Sequence, residues 1–231
     1  MNDSQPAAAP IRAALFDVDG TLVDTNDLHT AAWRAAFAHF GHDIGLDAIG
    51  GQIGKGGDNL IPALLPDLEE AERDAIEAYR SDLFRRDYLP RSTAFEGVRG
   101  LFERLYADGV TIVLASSSGA EEVAFNLGVT GAGDLVAATI SADEADRSKP
   151  CPDIFAAALA KAAPAAADEA IVVGDTPWDI KAAAKLGLRT IGFRSGGFAD
   201  DALLGAGAVA LYDGPEDLLR SYDSSLFARR G

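Results

Sequence analysis

The stretch ALFDVDGTLVDT, residues 14–25, carries the clearest fold signal in the chain. The short apolar run 13–16 predicts a buried strand, and two aspartates, Asp17 and Asp19, follow it directly. Like charges this close repel each other, so a purely structural protein gains little from the pair. On these residues alone, a strand that ends in an Asp-Gly turn explains the pattern equally well. The other polar clusters of the chain have to decide whether the two aspartates belong to a turn or to a functional site.

The composition limits the kinds of protein that this sequence can encode. With 231 residues, 48% of them hydrophobic, the chain can form one large domain or two modest ones around a packed core. A net charge of −16, from 36 acidic and 20 basic residues, disfavours nucleic acid and anionic membrane surfaces as partners. A single cysteine excludes an internal disulfide. We therefore expect a cytoplasmic protein, a monomer or homodimer, with neither a nucleic-acid nor a membrane partner.

The order of the segments predicts an α/β fold. After residue 97, strand-like and helix-like segments alternate, one of them a helix over 120–127 that stops at Gly128. Together with the strand over 13–16, they predict a Rossmann-like, doubly wound parallel sheet with helices on its faces. Residues 26–95 break the alternation: the apolar spacing there predicts helices over 26–40 and 68–89, and no strand is evident. The sequence thus predicts an all-helical insertion after the first strand.

Four polar clusters follow predicted strands, and each alone has an ordinary structural explanation as a turn, a loop or a helix cap. They contain Asp17, Asp19, Thr21 and Thr25; Ser116, Ser117 and Ser118; Arg147 and Lys149; and Asp175 and Asp179. The carboxyl ends of parallel strands meet at one edge of a sheet, so these side chains should converge. Carboxylate oxygens suit Mg²⁺, while hydroxyl groups and a lysine suit phosphate. The combination points to phosphoryl chemistry.

With these four clusters, the sequence resembles the haloacid dehalogenase superfamily, in the branch of phosphoglycolate-phosphatase-like and beta-phosphoglucomutase-like members. The segments DVDGTLVDT, ASSS, SKPCPDIF and GDTPWD resemble the four motifs of that family, in the family's order. The resemblance covers residues 13–195, and the helical insertion lies where this branch carries a cap domain. It implies a catalytic core over 12–24 and 97–231 and a helical cap over 25–96. The mixture of Pro, Ala and polar residues predicts a disordered leader over 1–11.

The resemblance also implies roles for the residues of the first motif. Asp17 would be the nucleophile that forms an aspartyl-phosphate, and Asp19 would be the general acid and then the general base. Mg²⁺ would be held by the Asp17 carboxylate, the Asp19 backbone carbonyl and Asp175. The family's dehalogenases lack the second aspartate, so the presence of Asp19 argues against dehalogenation.

The remaining motifs supply phosphate contacts and charge balance. Ser116 would donate a hydrogen bond to a phosphoryl oxygen, and Ser117 would join the substrate-binding residues. Lys149 would balance the negative charge on the nucleophile and on the transferring group. Asp179 would orient a metal-bound water or Lys149.

The cap should close over the site and contact the rest of the substrate, with hinges over 23–26 and 95–97. The substrate contacts we expect are His29, Lys55, Asn59 and Arg80. His29 lies twelve residues after Asp17, where mutase-like members carry a histidine, although it is equally well explained as a polar residue on a cap helix. Members of the mutase branch carry a segment similar to GxSRxxS at the position where this chain has GKGGDN, residues 54–59. That difference favours hydrolysis over phosphosugar transfer.

These observations predict a Mg²⁺-dependent phosphatase that acts on a small phosphorylated metabolite, of the sugar phosphate or phosphoglycolate type, through an aspartyl-phosphate. A beta-phosphoglucomutase-like phosphosugar mutase is the main alternative. A non-catalytic or receiver-like phosphorylated domain is a distant one, because every catalytic position carries a competent residue.

Overall fold

The computed structural model describes residues 9–228, and its core is a six-stranded parallel sheet. The strands of the chain are β1 (Ala13–Phe16), β2 (Val23–Asp24), β3 (Thr93–Ala94), β4 (Thr111–Ala115), β5 (Ala138–Ile140), β6 (Ala170–Gly174), β7 (Arg189–Phe193) and β8 (Ala210–Tyr212). Their order in the sheet is β5-β4-β1-β6-β7-β8, and every neighbouring pair is parallel. The chain runs outward from β1 in both directions, so the predicted doubly wound α/β fold is confirmed.

Helices cover both faces of this sheet. The α-helices are α1 (Asn26–His39), α2 (Leu46–Gly50), α3 (Gly57–Leu64), α4 (Glu70–Leu83), α5 (Val98–Ala107), α6 (Ala120–Thr130), α7 (Asp153–Lys161), α8 (Pro177–Ala184), α9 (Asp200–Ala206) and α10 (Pro215–Arg220). Side chains of β1 alternate between faces: Phe16 packs with α5 and α10, while Leu15 packs with α7 and α8. A sheet buried on both faces explains why its strands are continuous apolar runs in the sequence.

The segment between β2 and β3 is helical and has its own apolar core. Residues from α1, α2, α3 and α4, among them Trp33, Phe37, Ile49, Leu60 and Ile76, form one buried cluster apart from those of the sheet. β2 and β3 pair antiparallel at the base of this segment. The short pairing corrects our expectation that no strand occurs there.

Two predicted helix ends differ from the structure. α6 continues past Gly128 to Thr130, because the residue that takes the left-handed conformation and ends the helix is Gly131, with φ of 62°. The segment predicted as one helix over 68–89 is regular only in α4. It continues as a π-helical turn, Phe84–Tyr88, and a 3₁₀ turn that contains Pro90, whose ring disfavours a regular helix.

The chain termini and the domain limits remain predictions from the sequence. Residues 1–8 of the proposed leader lie outside the described residues, as do residues 229–231 of the proposed core. Ile11, also assigned to the leader, packs against the sheet's core. None of the helices within residues 9–228 combines the length and the apolar character needed to cross a bilayer.

Candidate active site

Residues from the four polar clusters converge at the carboxyl edge of the sheet. Asp17 follows β1, Ser116 follows β4 and Asp175 follows β6, and these three strands lie side by side in the sheet. Asp17 is 4% exposed, while Ser116 and Asp175 have no exposed surface. Polar groups so deeply buried need partners: Asp17 pairs with Lys149, Ser116 donates to Asp19, and Asp175 accepts from Thr21 and Asn26.

Lys149 is the buried cation of this site. Its ammonium group contacts the Asp17 carboxylate and lies 2.6 Å from Oδ1 of Asp179, and it also donates to the carbonyl of Ala115 across 3.3 Å. Burial alone would lower the pKa of Lys149, but the carboxylates of Asp17 and Asp179 raise it above its usual range. Lys149 therefore stays charged and forms ion pairs with two carboxylates, those of Asp17 and Asp179.

Burial also changes the pKa of the two strand-end aspartates. Burial raises the pKa of Asp17, and Asp179 and Asp175 raise it further, although Lys149 opposes them. Burial and the nearby Asp179 raise the pKa of Asp175 to about 7. Its two carboxylate oxygens accept hydrogen bonds of 2.8 Å from the Thr21 hydroxyl and from the Asn26 side chain.

Asp179 has a structural function as well as an electrostatic one. Its Oδ2 atom accepts from the backbone and the hydroxyl of Thr176, whose hydroxyl in turn accepts from the Asp179 backbone. These reciprocal bonds form a capping box at the start of α8. The alternative explanation of GDTPWD as a helix cap is therefore correct for part of the motif, while Oδ1 remains turned toward Lys149.

The carboxylates fit a hard divalent cation. Asp17, Asp175 and Asp179 each offer one oxygen, and these atoms lie within 4.8 Å of one another. Clustered carboxylate oxygens are the donors that Mg²⁺ prefers. The Asp19 carboxylate does not belong to this group. From the sequence, we expected the Asp19 backbone carbonyl as a ligand and placed Asp179 outside the direct ligands.

The Asp19 carboxylate is held by donors from three separate parts of the chain. It accepts hydrogen bonds of 2.9 to 3.2 Å from Thr25, His29, Ser116, Ser118 and Asn126. Burial alone would raise the pKa of Asp19, but His29 and the hydroxyl donors outweigh burial and hold it well below its usual range. In this arrangement Asp19 is a carboxylate fixed by its neighbours.

His29 connects Asp19 to the cap residue Arg80. The Arg80 guanidinium donates to Nδ1 of His29 across 2.6 Å, and Nε2 of His29 lies 3.1 Å from Oδ1 of Asp19. An arginine can only donate, so Nδ1 accepts and the proton of His29 lies on Nε2, which donates to Asp19. His29 and Arg80, both predicted as substrate contacts, are buried. Their hydrogen bonds connect them to Asp19 of the first motif.

A small cavity of about 40 Å³ separates the cap from the core at this point. Six residues predicted to act in the site contribute to its wall: Asp17, Asp19, His29, Lys55, Arg80 and Ser117. The ammonium nitrogen of Lys55 lies 4.0 Å from the ring centre of Trp178 and donates to Gln52 across 2.5 Å. Burial, with the nearby Lys181, lowers the pKa of Lys55.

The loop before α3 joins the cap to the core. The Ser117 hydroxyl donates to the carbonyl of Gly54 across 3.4 Å, and the Gly56 backbone donates to the Ser148 hydroxyl across 3.0 Å. Asn59 does not line the cavity: its amide donates to the carbonyl and the hydroxyl of Ser148. The helical segment between β2 and β3 thus contacts the loops that follow β4 and β5.

Sequence reasoning gave no role to several residues of the site. Ser118 and Asn126 bind Asp19, Asn26 binds Asp175, and Glu77 lines the cavity. The serine run and the proximity of Asn26 to the first motif were signals that could have been used. Glu77 offered none, because its contact with the site depends on how α4 packs.

The fold combines a doubly wound α/β core, a helical segment between β2 and β3 with its own apolar cluster, and a buried acidic group at the strand ends. The model of the haloacid dehalogenase-like hydrolase family matches residues 14–193. The chain belongs to this family of hydrolases.

Individual relatives agree with this assignment. Pyrophosphatase PpaX of Listeria monocytogenes serotype 4b (strain CLIP80459) is 28% identical over 183 residues, which cover 74% of this chain and 78% of the relative. The crystal structure of a hydrolase from Pseudomonas syringae superposes with a TM-score of 0.87 at 29% identity, covering 93% of this chain and 99% of that one. A predicted phosphatase from Clostridium acetobutylicum shares the fold, with a TM-score of 0.82 at 21% identity over 94% of this chain and 100% of the other.

Proposed function

We propose that the protein is a Mg²⁺-dependent phosphatase that hydrolyses small phosphate monoesters through an aspartyl-phosphate on Asp17. The observation that carries the proposal is the buried group of Asp17, Asp175 and Asp179 with Lys149, next to a cavity that Asp17 itself lines. Phosphoryl transfer requires a carboxylate, a fixed positive charge and a cation site close together and shielded from water. This part of the structure brings the corresponding groups together.

The Asp17 carboxylate, the Asp19 backbone carbonyl and Asp175 would hold the cation, with the Asp179 carboxylate close to Asp17 and Asp175. When bound, Mg²⁺ supplies positive charge that reduces the repulsion between these carboxylates and an incoming phosphate. The other cation, Lys149, is fixed by ion pairs to Asp17 and Asp179. It would orient the Asp17 carboxylate and balance the charge that develops on the phosphoryl group.

Asp17 would attack phosphorus, and Asp19 would protonate the leaving oxygen and later take a proton from water. In the present arrangement the Asp19 carboxylate accepts from Ser116 across 3.1 Å and from Ser118 across 2.9 Å. For catalysis, Asp19 has to gain a proton and turn toward the leaving group, and the Ser116 hydroxyl has to turn toward a phosphoryl oxygen. A substrate phosphate would accept the hydrogen bond of the Ser116 hydroxyl. Its binding would therefore free Ser116 and the Asp19 carboxylate from each other.

The leaving group would occupy the cavity that Asp17, Asp19 and Lys55 line. Phosphoglycolate and small sugar phosphates both remain candidates. The similarity to Pyrophosphatase PpaX adds pyrophosphate as a further candidate. The mutase alternative differs only in returning the phosphoryl group to a second hydroxyl instead of water. A cytoplasmic location and a monomeric or homodimeric state remain predictions from the sequence.

Phosphorus NMR tests the proposal directly. Purified protein with Mg²⁺ is incubated with phosphoglycolate, pyrophosphate, β-glucose 1-phosphate and several hexose and pentose phosphates, with Asp17→Asn as the control. We expect inorganic phosphate from one or a few compounds, no release by the Asp17→Asn variant, and no release when the metal is chelated. Interconversion of sugar phosphates with little free phosphate would instead identify a mutase.

A further inference from the structure

Lys55 brings a positive charge to the wall of the cavity that contains Asp17, and within residues 9–228 it pairs with no carboxylate. Its ammonium group carries three N–H donors. One of them donates to Gln52 across 2.5 Å, and the nitrogen lies 4.0 Å from the ring centre of Trp178. These two contacts leave at least one N–H group for a ligand in the cavity. A cation without a carboxylate next to it is available to an anionic ligand.

The ring that contacts Lys55 belongs to the same segment as two carboxylates of the acidic group. Trp178 lies in the first turn of α8, three residues after Asp175 and directly before Asp179. Indole is the aromatic ring that attracts cations most strongly, and the attraction increases where water is excluded. Trp178 is not part of the cavity wall, so it acts on a ligand there through Lys55.

The backbone next to Lys55 lies against the core as well. Gly54 accepts a hydrogen bond from Ser117. A β-carbon at position 54 would lie 2.6 Å from the Thr176 side chain, so the absence of a side chain lets this loop approach the start of α8. The loop contacts orient the backbone of Lys55, and the Trp178 ring holds the end of its long side chain.

A second ammonium group lies at the same ring but outside the cavity wall. The nitrogen of Lys181 is 4.6 Å from the Trp178 ring centre, and Lys181 is exposed. Like charges repel each other, so Lys181 does not help to hold Lys55 in place. The ring therefore offers a matched comparison between two lysines, of which one lines the cavity.

We propose that Trp178 is a positioning residue for Lys55: its ring holds the Lys55 ammonium at the cavity wall, where the ammonium binds a phosphate oxygen. The inference takes its ligand from the proposed phosphatase function and adds a residue to it. A lysine that is fixed before the ligand arrives loses little conformational freedom on binding, so the ring raises affinity without touching the phosphate. Trp178 should therefore affect phosphate binding only while Lys55 is present.

A double-mutant cycle tests this dependence. Isothermal titration calorimetry with saturating Mg²⁺ measures the dissociation constant of inorganic phosphate for the wild type, Lys55→Met, Trp178→Leu and the double variant. Lys55→Met should raise this constant about tenfold and Trp178→Leu about 3- to 10-fold. Once Lys55 is absent, Trp178→Leu should change it by less than about twofold. An equal effect of Trp178→Leu with and without Lys55, or no effect in either background, would overturn the inference.

Two further variants separate positioning from general effects on packing and charge. Trp178→Phe keeps an aromatic face and should bind phosphate more tightly than Trp178→Leu; the cycle is run with Trp178→Phe if Trp178→Leu does not fold. Lys181→Met removes the same charge from the same ring and should stay within about twofold of the wild type, because water and salt screen an exposed charge. A loss as large as that of Lys55→Met would overturn the inference.

Kinetics distinguishes the inference from the proposed function. For the compound hydrolysed fastest in the NMR panel, Trp178→Leu should raise KM and change kcat by less than about threefold, because Lys55 binds the phosphate equally before and during transfer. A fall in kcat with unchanged KM would overturn the inference and leave the phosphatase function intact. The expected cycle for phosphate binding, without hydrolysis of any compound, would overturn the function and support the inference. No phosphate binding by the wild type would overturn the inference.

Discussion

The ammonium nitrogen of Lys149 lies 2.6 Å from Oδ1 of Asp179, and neither side chain is exposed. The same ammonium contacts Asp17, so one buried cation compensates two buried carboxylates. Removing one member of such a group leaves uncompensated charge in a place that water does not reach. Lys149 is therefore a determinant of folding stability, in addition to its proposed part in catalysis.

This relationship predicts a large loss of stability when the cation is removed. Lys149→Met should lower the free energy of unfolding by about 3–5 kcal/mol, measured by urea denaturation without metal. Adding Asp179→Asn to that variant should recover part of the loss, because one uncompensated carboxylate disappears while the helix-capping oxygen remains. Lys161→Met, at an exposed position on α7, is the control and should change stability by less than about 0.5 kcal/mol. Equal stability of Lys149→Met and the control would contradict the account.

The pKa of about 7 for Asp175 predicts that Mg²⁺ affinity depends on pH. Its proton has to leave before the carboxylate can bind a cation, so affinity should rise with pH through 7. Between pH 6 and pH 8, the dissociation constant from isothermal titration calorimetry should fall about tenfold. Without metal, stability should fall as the pH rises from about 4 to 7, because the folded Asp175 keeps a proton that the unfolded chain releases. A dissociation constant that does not change with pH would refute this assignment.

Asn26, in the first turn of α1, should affect the Mg²⁺ affinity of the same site. Its side chain donates to Asp175 across 2.8 Å, and its Oδ1 atom is buried without a partner among the described residues. Asn26→Ala removes the group that orients this carboxylate, so the Mg²⁺ dissociation constant should rise about 10- to 100-fold. Asn59→Ala is the matched control, since Asn59 contacts Ser148 instead of the acidic group. Equal metal binding by the two variants would show that Asn26 does not position Asp175.

Much of the fold could be predicted because the signals are local. The strand over 13–16 has the predicted limits, since an apolar run followed directly by polar residues has few other structures available. The meeting of Asp17, Ser116 and Asp175 at one edge follows from the parallel order of their strands. These features depend on chain direction and hydrophobic pattern, which the sequence contains.

The details of the site could not be predicted because they depend on distant side chains. Asp19 is held partly by Asn126, which is 107 residues away along the chain. Asp179 lies with Asp17 and Asp175 in one acidic group, whereas the Asp19 carboxylate is engaged by five donors elsewhere. Glu77 reaches the cavity through the packing of α4, which no motif encodes. Side-chain direction of this kind follows from tertiary packing.

The covalent phosphoryl group on Asp17 is the central claim, and rapid quenching with acid tests it most directly. Wild-type protein and Mg²⁺ are mixed with the best phosphate ester, labelled with phosphorus-32, and quenched within milliseconds. We expect up to one label per chain, released by hydroxylamine as an acyl phosphate should be, and none on the Asp17→Asn variant. Release of labelled phosphate at full rate with no label on the wild-type protein, or label on Asp17→Asn, would contradict the account.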